Sequence, residues 1–437
     1  MSTRLLVGAG RGDITPDVGA ILSGYAPGRP SETIHDHLHV TAYAFEYNGL
    51  RSLLVTTDLL LISDPLSTEM RRAMAEASGI PFEYIILTST HTHSGPVTRR
   101  LPGEYPLDED YLYNRLIPAA ASAAKQAAQS LRPALMGVGV TESDVGINRR
   151  EIEPDGSIRL GQNPFGSRDP VMTVVSFREP DGAPIANIIH YGAHNTASGP
   201  NPEITRDWCG VMIDRLEETA GGITAFFNGC EGDCGPNLPN GQTTGDLQLA
   251  LELGGRAAID AVRAWRSITE WRSDCDMRVV TGDVKLPLKP LPSIAELERQ
   301  IAEMGDPAAL SGLKSTEYGI LLERARLARS GKKLSNFRAL PHTVISVGPV
   351  AFLPVPFEVF SVITLRLRRY SPYPHTLSLS NGNGSIKYFP SQDQLCRGGY
   401  EVWLFTSMEP QPFADDSEQY YVSGCTALLE KLKNQDI

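Results

Sequence analysis

Strand-length apolar runs closed by turn residues alternate with longer amphipathic stretches along all 437 residues, which excludes an all-helical or an all-strand fold. Strands are predicted at 39–47, 51–61, 84–91, 134–140, 171–177, 185–194, 223–229, 343–355 and 376–382. Helices are predicted at 66–78, 108–131, 206–220, 246–265, 293–304, 316–329, 357–370 and 419–434. Internal repeats and low-complexity linkers are missing from the sequence. The pattern predicts an α/β fold: one large mixed-sheet domain flanked by helices over residues 1–437, with a charged helical insertion at about 294–333.

Several function classes drop out on composition. No run of eighteen apolar residues is present, so a transmembrane segment is not expected. Forty Lys and Arg stand against 51 Asp and Glu, a net charge of -11 without a basic cluster, which argues against nucleic acid as a partner. The N-terminus lacks the apolar core of a secretory signal, and the six cysteines form no C-x-x-C pair. Both point to the cytoplasm and to reduced thiols. The early V-G-A-G-R-G-D has G-x-G-x-G spacing and runs into D-I-T-P-D, so it is expected to be a tight turn rather than a dinucleotide loop. No G-x-S-x-G, H-E-x-x-H or Walker sequence occurs.

The nine histidines are used unevenly. In I-I-L-T-S-T-H-T-H-S-G-P, His91 and His93 end a predicted strand two residues apart, so alternation puts both rings on one face at the sheet's carboxyl edge. In N-I-I-H-Y-G-A-H-N-T-A-S-G a strand again ends in a histidine, His194, while His190 lies about 13 Å further back and is expected to be a buried or a surface ring, outside any metal site. F-F-N-G-C-E-G-D-C-G-P leads an apolar strand into an acidic loop, where Glu231 and Asp233 would raise rather than lower the pKa of Cys230 and Cys234. Glu358 opens the predicted helix at 357–370. It either complements that helix's N-terminus or completes a metal site with two histidines, and spacing does not choose.

Taken in order, G-R-G-D-I-T-P with S-G-Y-A, T-S-T-H-T-H-S-G-P, I-N-R-R, H-Y-G-A-H-N-T-A-S-G with T-R-D-W-C-G, F-F-N-G-C-E-G-D-C-G-P-N, P-F-E-V-F-S, S-N-G-N-G-S-I-K-Y and G-G-Y-E resemble the catalytic domain of the neutral, non-lysosomal ceramidases. The resemblance implies a hydrolase that cleaves an amide with one Zn²⁺ ion. It implies His91, His194, Glu358 and Tyr388 as metal ligands, His93 facing substrate, and Arg149 and Tyr400 at the reaction centre. Such a zinc ion brings a bound water to a pKa of about 7. Arg149 and Tyr400 are then expected to meet charge developing on the carbonyl oxygen, and His93, titrating near neutrality, to protonate the leaving amine. Asp58 and Asp207 are candidates to orient the histidines.

Three departures from the family pattern bear on substrate. Gly235 stands where the family's acidic loop has a serine, which removes a serine nucleophile there, and Phe357 precedes the metal carboxylate in place of glycine. The chain also ends soon after the last motif, where long-chain ceramidases continue into a β-sandwich. The expected partner is therefore a small-molecule or lipid-like amide, possessing no necessary likeness to ceramide. An ester or glycosidic linkage cleaved on the same scaffold, or a non-catalytic metal-containing binding protein, are the alternatives.

Overall fold

The computed structural model describes residues 4–25, 28–99 and 107–435. Ala26, which closes the S-G-Y-A motif, lies outside them. Gly8, Gly10 and Gly12 do not form a turn; they sit in the strand Leu6–Asp13. At every second position they share one face of that strand, and the helix Ile117–Gln129 lies directly on them. A Cβ on Gly8 would be 2.1 Å from the Ala127 carbonyl oxygen, and one on Gly10 would be 2.3 Å from that of Ala123. The glycine spacing is thus a packing surface matched to alanines four residues apart on the helix.

Three mixed sheets follow, and in each a single pair of described strands is parallel. The first runs Ile85–Ser89, Leu50–Thr57, His39–Tyr47, Leu6–Asp13 and Arg132–Pro133, with Ile85–Ser89 parallel to Leu50–Thr57. The second runs Ile223–Asn228, Pro184–Tyr191, Val171–Arg178 and Leu135–Glu142, with the first two parallel. The third runs Met277–Pro287, Phe337–Val347, Val350–Pro354 and His375–Leu379, with the last two parallel. A parallel pair requires a crossover, and the helices Asp64–Ser78, Asp207–Ala220 and Ser361–Tyr370 supply them. All three sheets face one apolar core, to which Phe45 and Ile86, Phe177 and Phe227, and Phe352 and Leu377 contribute from the successive sheets.

Some elements differ from expectation. The run 343–355 is two antiparallel strands that meet at Val347 and Val350, and the helix expected from 357 starts at Ser361 because Glu358–Val359 is extended. Met277–Pro287, the hairpin Gly146–Ile152 with Ile158–Asn163, and the helix Tyr400–Ser407 are additional. Helices Ile294–Glu303 and Gly312–Arg329 arise between Met277–Pro287 and Phe337–Val347 and pack on each other through Leu297, Leu321 and Ala325. No helix among the described residues is long and apolar enough to cross a membrane.

The glycine face is open to test. Gly10→Ala should force the helix off the strand and destabilise the protein by about 1–3 kcal/mol in denaturant unfolding, the range for overpacking a close contact. An unchanged midpoint would show that the helix does not rest on this strand.

Candidate active site

Each cluster of polar side chains sits just past the carboxyl end of a parallel strand. The strand Ile85–Ser89 stops before the histidines; Thr90 N then donates to Thr57 O (2.8 Å) and His91 N to Leu59 O (3.0 Å). His91 takes a left-handed backbone conformation, φ 68°, uncommon for a residue with a Cβ. Strand alternation therefore does not align the two rings. The turn does, leaving their centroids 5.0 Å apart. Asn228 fixes this turn against the second sheet, donating to Thr90 O (3.0 Å) and to Ala193 O (2.9 Å). His194 follows the strand Pro184–Tyr191, and its ring stands edge-on to His91 at 4.6 Å. His190 is the buried one of its two expected states, its Nε2 on Ser378 O within that strand.

Glu358 and Tyr388 are brought together by a two-residue parallel ladder in which they are direct partners, so their side chains leave the backbone on the same side. Glu358 is thus not on a helix, and the choice left open by spacing falls away from helix capping. Its Oε2 lies 3.5 Å from His91 Nε2 and 3.2 Å from His194 Nε2, and the Tyr388 hydroxyl is 3.2 Å from His194 Nε2. Phe357, on the other side of the ladder, stacks on Phe389 at 4.7 Å in the third sheet's core.

The imidazoles are oriented by backbone carbonyls. Nδ1 of His91 faces Leu60 O at 2.7 Å, that of His93 faces Gly24 O at 3.1 Å, and that of His194 faces Glu231 O at 2.7 Å. A proton on each Nδ1 leaves each Nε2 with a lone pair. His91 Nε2, His93 Nε2 and Glu358 Oε2 are buried without a hydrogen-bond partner, a costly arrangement that a cation resolves. Ligand atoms of His91, His93 and His194 lie within 4.8 Å of one another, so this group could hold a metal ion. His93, which the family resemblance implies to face substrate, is within reach of the same point.

Burial, with the charge of Arg149 next, pushes His194 down to about 3. Burial and the two neighbouring imidazoles hold His93 well below the ordinary histidine value, so it is neutral at pH 7 and does not titrate near neutrality as expected. Burial would raise Glu358; a positive charge at its His91 and His194 side, on a ring or on a cation between them, pulls it down. Burial likewise opposes the charge of Arg149, which Tyr388 and Glu401 more than offset. Arg149 Nε donates to Glu401 Oε1 (2.9 Å), its guanidinium carbon lies 5.2 Å from the centre of the Tyr388 ring, and Arg150 Nη1 holds the other Glu401 oxygen (2.6 Å). Tyr400 meets Tyr388 edge-on at 5.7 Å and is pushed up to about 12 by burial and Glu358. A cavity of about 200 Å³ opens on His91, His93, Glu358, Tyr388 and Tyr400.

Asp58 and Asp207 orient no site histidine. Asp58 accepts from His39 N (2.9 Å), and Asp207 accepts from Ala197 N, Ser198 N and the Ser198 hydroxyl (3.1, 2.8 and 2.6 Å), shaping the loop after His194. Carbonyls do the orienting instead. Cys230 and Cys234 are buried, and burial pushes both thiols up, away from a nucleophilic state. Glu231 is the acid that sequence reasoning left without a role here. Fully buried, it accepts from Asn381 Nδ2 at 2.6 Å, lies 3.7 Å from His91 Nδ1, and is pushed well above the ordinary carboxyl range by burial and by Glu358. Its place in an acidic loop at a strand end was the available signal.

The family model for the neutral/alkaline non-lysosomal ceramidase N-terminal region matches residues 5–249, more than half of the chain. The chain belongs to this family. Neutral ceramidase A of Dictyostelium discoideum is 28% identical over 254 residues, covering 53% of this chain and 36% of that protein. Neutral ceramidase of Pseudomonas aeruginosa is 25% identical over 310 residues, covering 65% and 45%. The chain thus aligns with less than half the length of these ceramidases. The crystal structure of the Pseudomonas aeruginosa neutral ceramidase superposes with a TM-score of 0.73 at 20% identity, over 99% of this chain and 75% of that one. A ceramidase complexed with C2 gives 0.71 at 19%, over 100% and 77%. The ceramidase fold therefore extends past residue 249 to Glu358, Tyr388 and Tyr400.

Metal binding is testable without an assay of activity. Chelator-stripped protein should take up one divalent transition ion per chain and gain about 2.7 kcal/mol of stability at a hundredfold excess over Kd. Glu358→Ala should lose that gain; a gain of the same size in the variant would place the ion elsewhere.

Proposed function

We propose that the chain is a zinc-dependent hydrolase of amides, working as one catalytic unit with the helices of 294–333 as an insertion. The observation that carries this reading is the pair of unpartnered buried atoms, His91 Nε2 and Glu358 Oε2, 3.5 Å apart beside His194 Nε2 and the Tyr388 hydroxyl. Nitrogen and carboxylate donors of this kind suit zinc. His91, His194, Glu358 and Tyr388 would hold one ion, and when bound that ion supplies a water acidified to a pKa of about 7. The relatives named neutral ceramidases support an amide as substrate. Six unpaired cysteines support a reducing, cytoplasmic setting.

This chain's own groups do the rest. His93 differs from His91 and His194 in being only partly buried, with its ring 5.2 Å from that of Tyr25 at the cavity wall. We assign it to substrate: its neutral Nε2 accepts the proton of the attacking water and passes it to the leaving amine, while Nδ1 stays on Gly24 O. The depressed basicity of His93 favours the second transfer, because the imidazolium formed is a strong acid. Tyr400, on the cavity wall, donates to the carbonyl oxygen as its charge grows, and the Arg149 cation behind the Tyr388 ring lowers the energy of the same charge. Glu401 keeps Arg149 in place.

The test is a substrate screen on zinc-loaded protein with N-acyl amines, including an N-acyl sphingosine, and with matched esters and glycosides. Amide cleavage is expected, and His93→Ala should retain zinc while kcat falls by about 10²–10⁴-fold. Loss of zinc from that variant would make His93 a ligand. Cleavage of esters or glycosides alone, or of nothing, would contradict the amide assignment. Tyr400→Phe should cost about 10²-fold in kcat, and an unchanged kcat would remove Tyr400 from the oxyanion site.

A further inference from the structure

One charged group on the cavity wall takes no part in the chemistry above. Lys387 precedes Tyr388 with a backbone φ of 119°, a conformation that a residue with a Cβ rarely adopts. Its carbonyl accepts from Glu358 N at 2.8 Å, so the ladder that aligns Glu358 with Tyr388 also holds this strained residue in place. The half-buried side chain lines the same cavity as His91, Glu358 and Tyr388, where Arg99 adds a second cation.

The ammonium has three protons to place, and among the described residues its one acceptor is a neutral group, Met408 O at 2.9 Å. No described carboxylate forms an ion pair with it. Glu409, a carboxylate near enough to influence it, is held by Arg338 Nη1 at 3.0 Å. A cation drawn partly out of water is stabilised by an anion more than by a carbonyl. Leu22, Leu61, Leu313 and Leu404 make other parts of the wall apolar. The cavity therefore offers a metal-binding end, an apolar wall and a cation awaiting a counter-charge.

Resting on the amide-hydrolase reading, we propose that the preferred substrates are amides that carry a carboxylate, and that Lys387 is the specificity-determining residue that binds it. An N-acyl sphingosine is uncharged and leaves this group unused. Either half of the amide can carry the carboxylate, as in an N-acyl amino acid or an N-succinyl amine, and one substrate of each kind separates the two.

Zinc-loaded protein is assayed on N-octanoyl-phenylalanine, N-succinyl-phenethylamine and N-octanoyl-phenethylamine. One or both of the acids should exceed the uncharged amide in kcat/KM by about 10- to 100-fold, the factor for a hydrogen bond to a charged group. Lys387→Gln should bring that ratio close to one through KM, while Lys387→Arg keeps most of it. Equal rates on acids and uncharged amide in the wild type overturn the inference and leave the amidase reading intact, as does an unaltered ratio in Lys387→Gln. Cleavage of none of the three, nor of any other amide, removes the amidase reading and this inference with it.

Discussion

Everything at the candidate site depends on a few side chains whose acceptor atoms are turned toward one another, with His91 Nε2 and Glu358 Oε2 left without a hydrogen-bond partner. His91 and His194 have given their Nδ1 protons to Leu60 O and Glu231 O, so the nitrogens facing Glu358 are lone pairs. Glu358 Oε2 faces them at 3.5 and 3.2 Å. Packing alone gives no reason to bury such a set, since each unpartnered acceptor costs free energy. A cation at their centre gives one. Arg149, fixed by Glu401 and set against the Tyr388 ring, then provides a positive field beside a group that already contains an anion.

The fold delivers these groups by a single device used three times. Each sheet has one parallel pair, and the carboxyl ends of the three pairs lead into His91 and His93, into His194 and Glu231, and into Glu358, Asn381 and Tyr388. Loops at that edge are free to carry polar groups because the strands behind them are buried in a shared apolar core. Asn228 and Asn381 tie the loops to one another, Asn381 by its bond to Glu231. The site is therefore as rigid as the contacts between sheets, and no single motif could form it.

Much of this was legible in the sequence where the signal is local. The pattern of His39–Tyr47 gave a strand with the observed ends, and the pair His91 and His93 pointed to the candidate site because two rings beside small residues follow an apolar run. What was misread depends on partners distant in the chain. The glycines of Leu6–Asp13 suggest a turn until the alanines of Ile117–Gln129 are placed against them. Glu358 looks like the opening of a helix because its two-residue ladder is specified by Tyr388, thirty positions on. Asp58 and Asp207 fit the residue type of orienting acids but bind elsewhere, and backbone carbonyls, which carry no sequence signature, perform that task. The neutrality of His93 likewise arises from burial among other imidazoles and not from its own chemistry.

X-ray absorption at the zinc edge, on protein loaded with one equivalent of zinc, tests the central claim most directly. The account predicts nitrogen and oxygen neighbours at about 2.0–2.2 Å with the multiple-scattering pattern of at least two imidazoles, and no sulfur at about 2.3 Å. A sulfur shell, or an environment without imidazole, would place the metal away from His91 and His194 and contradict it.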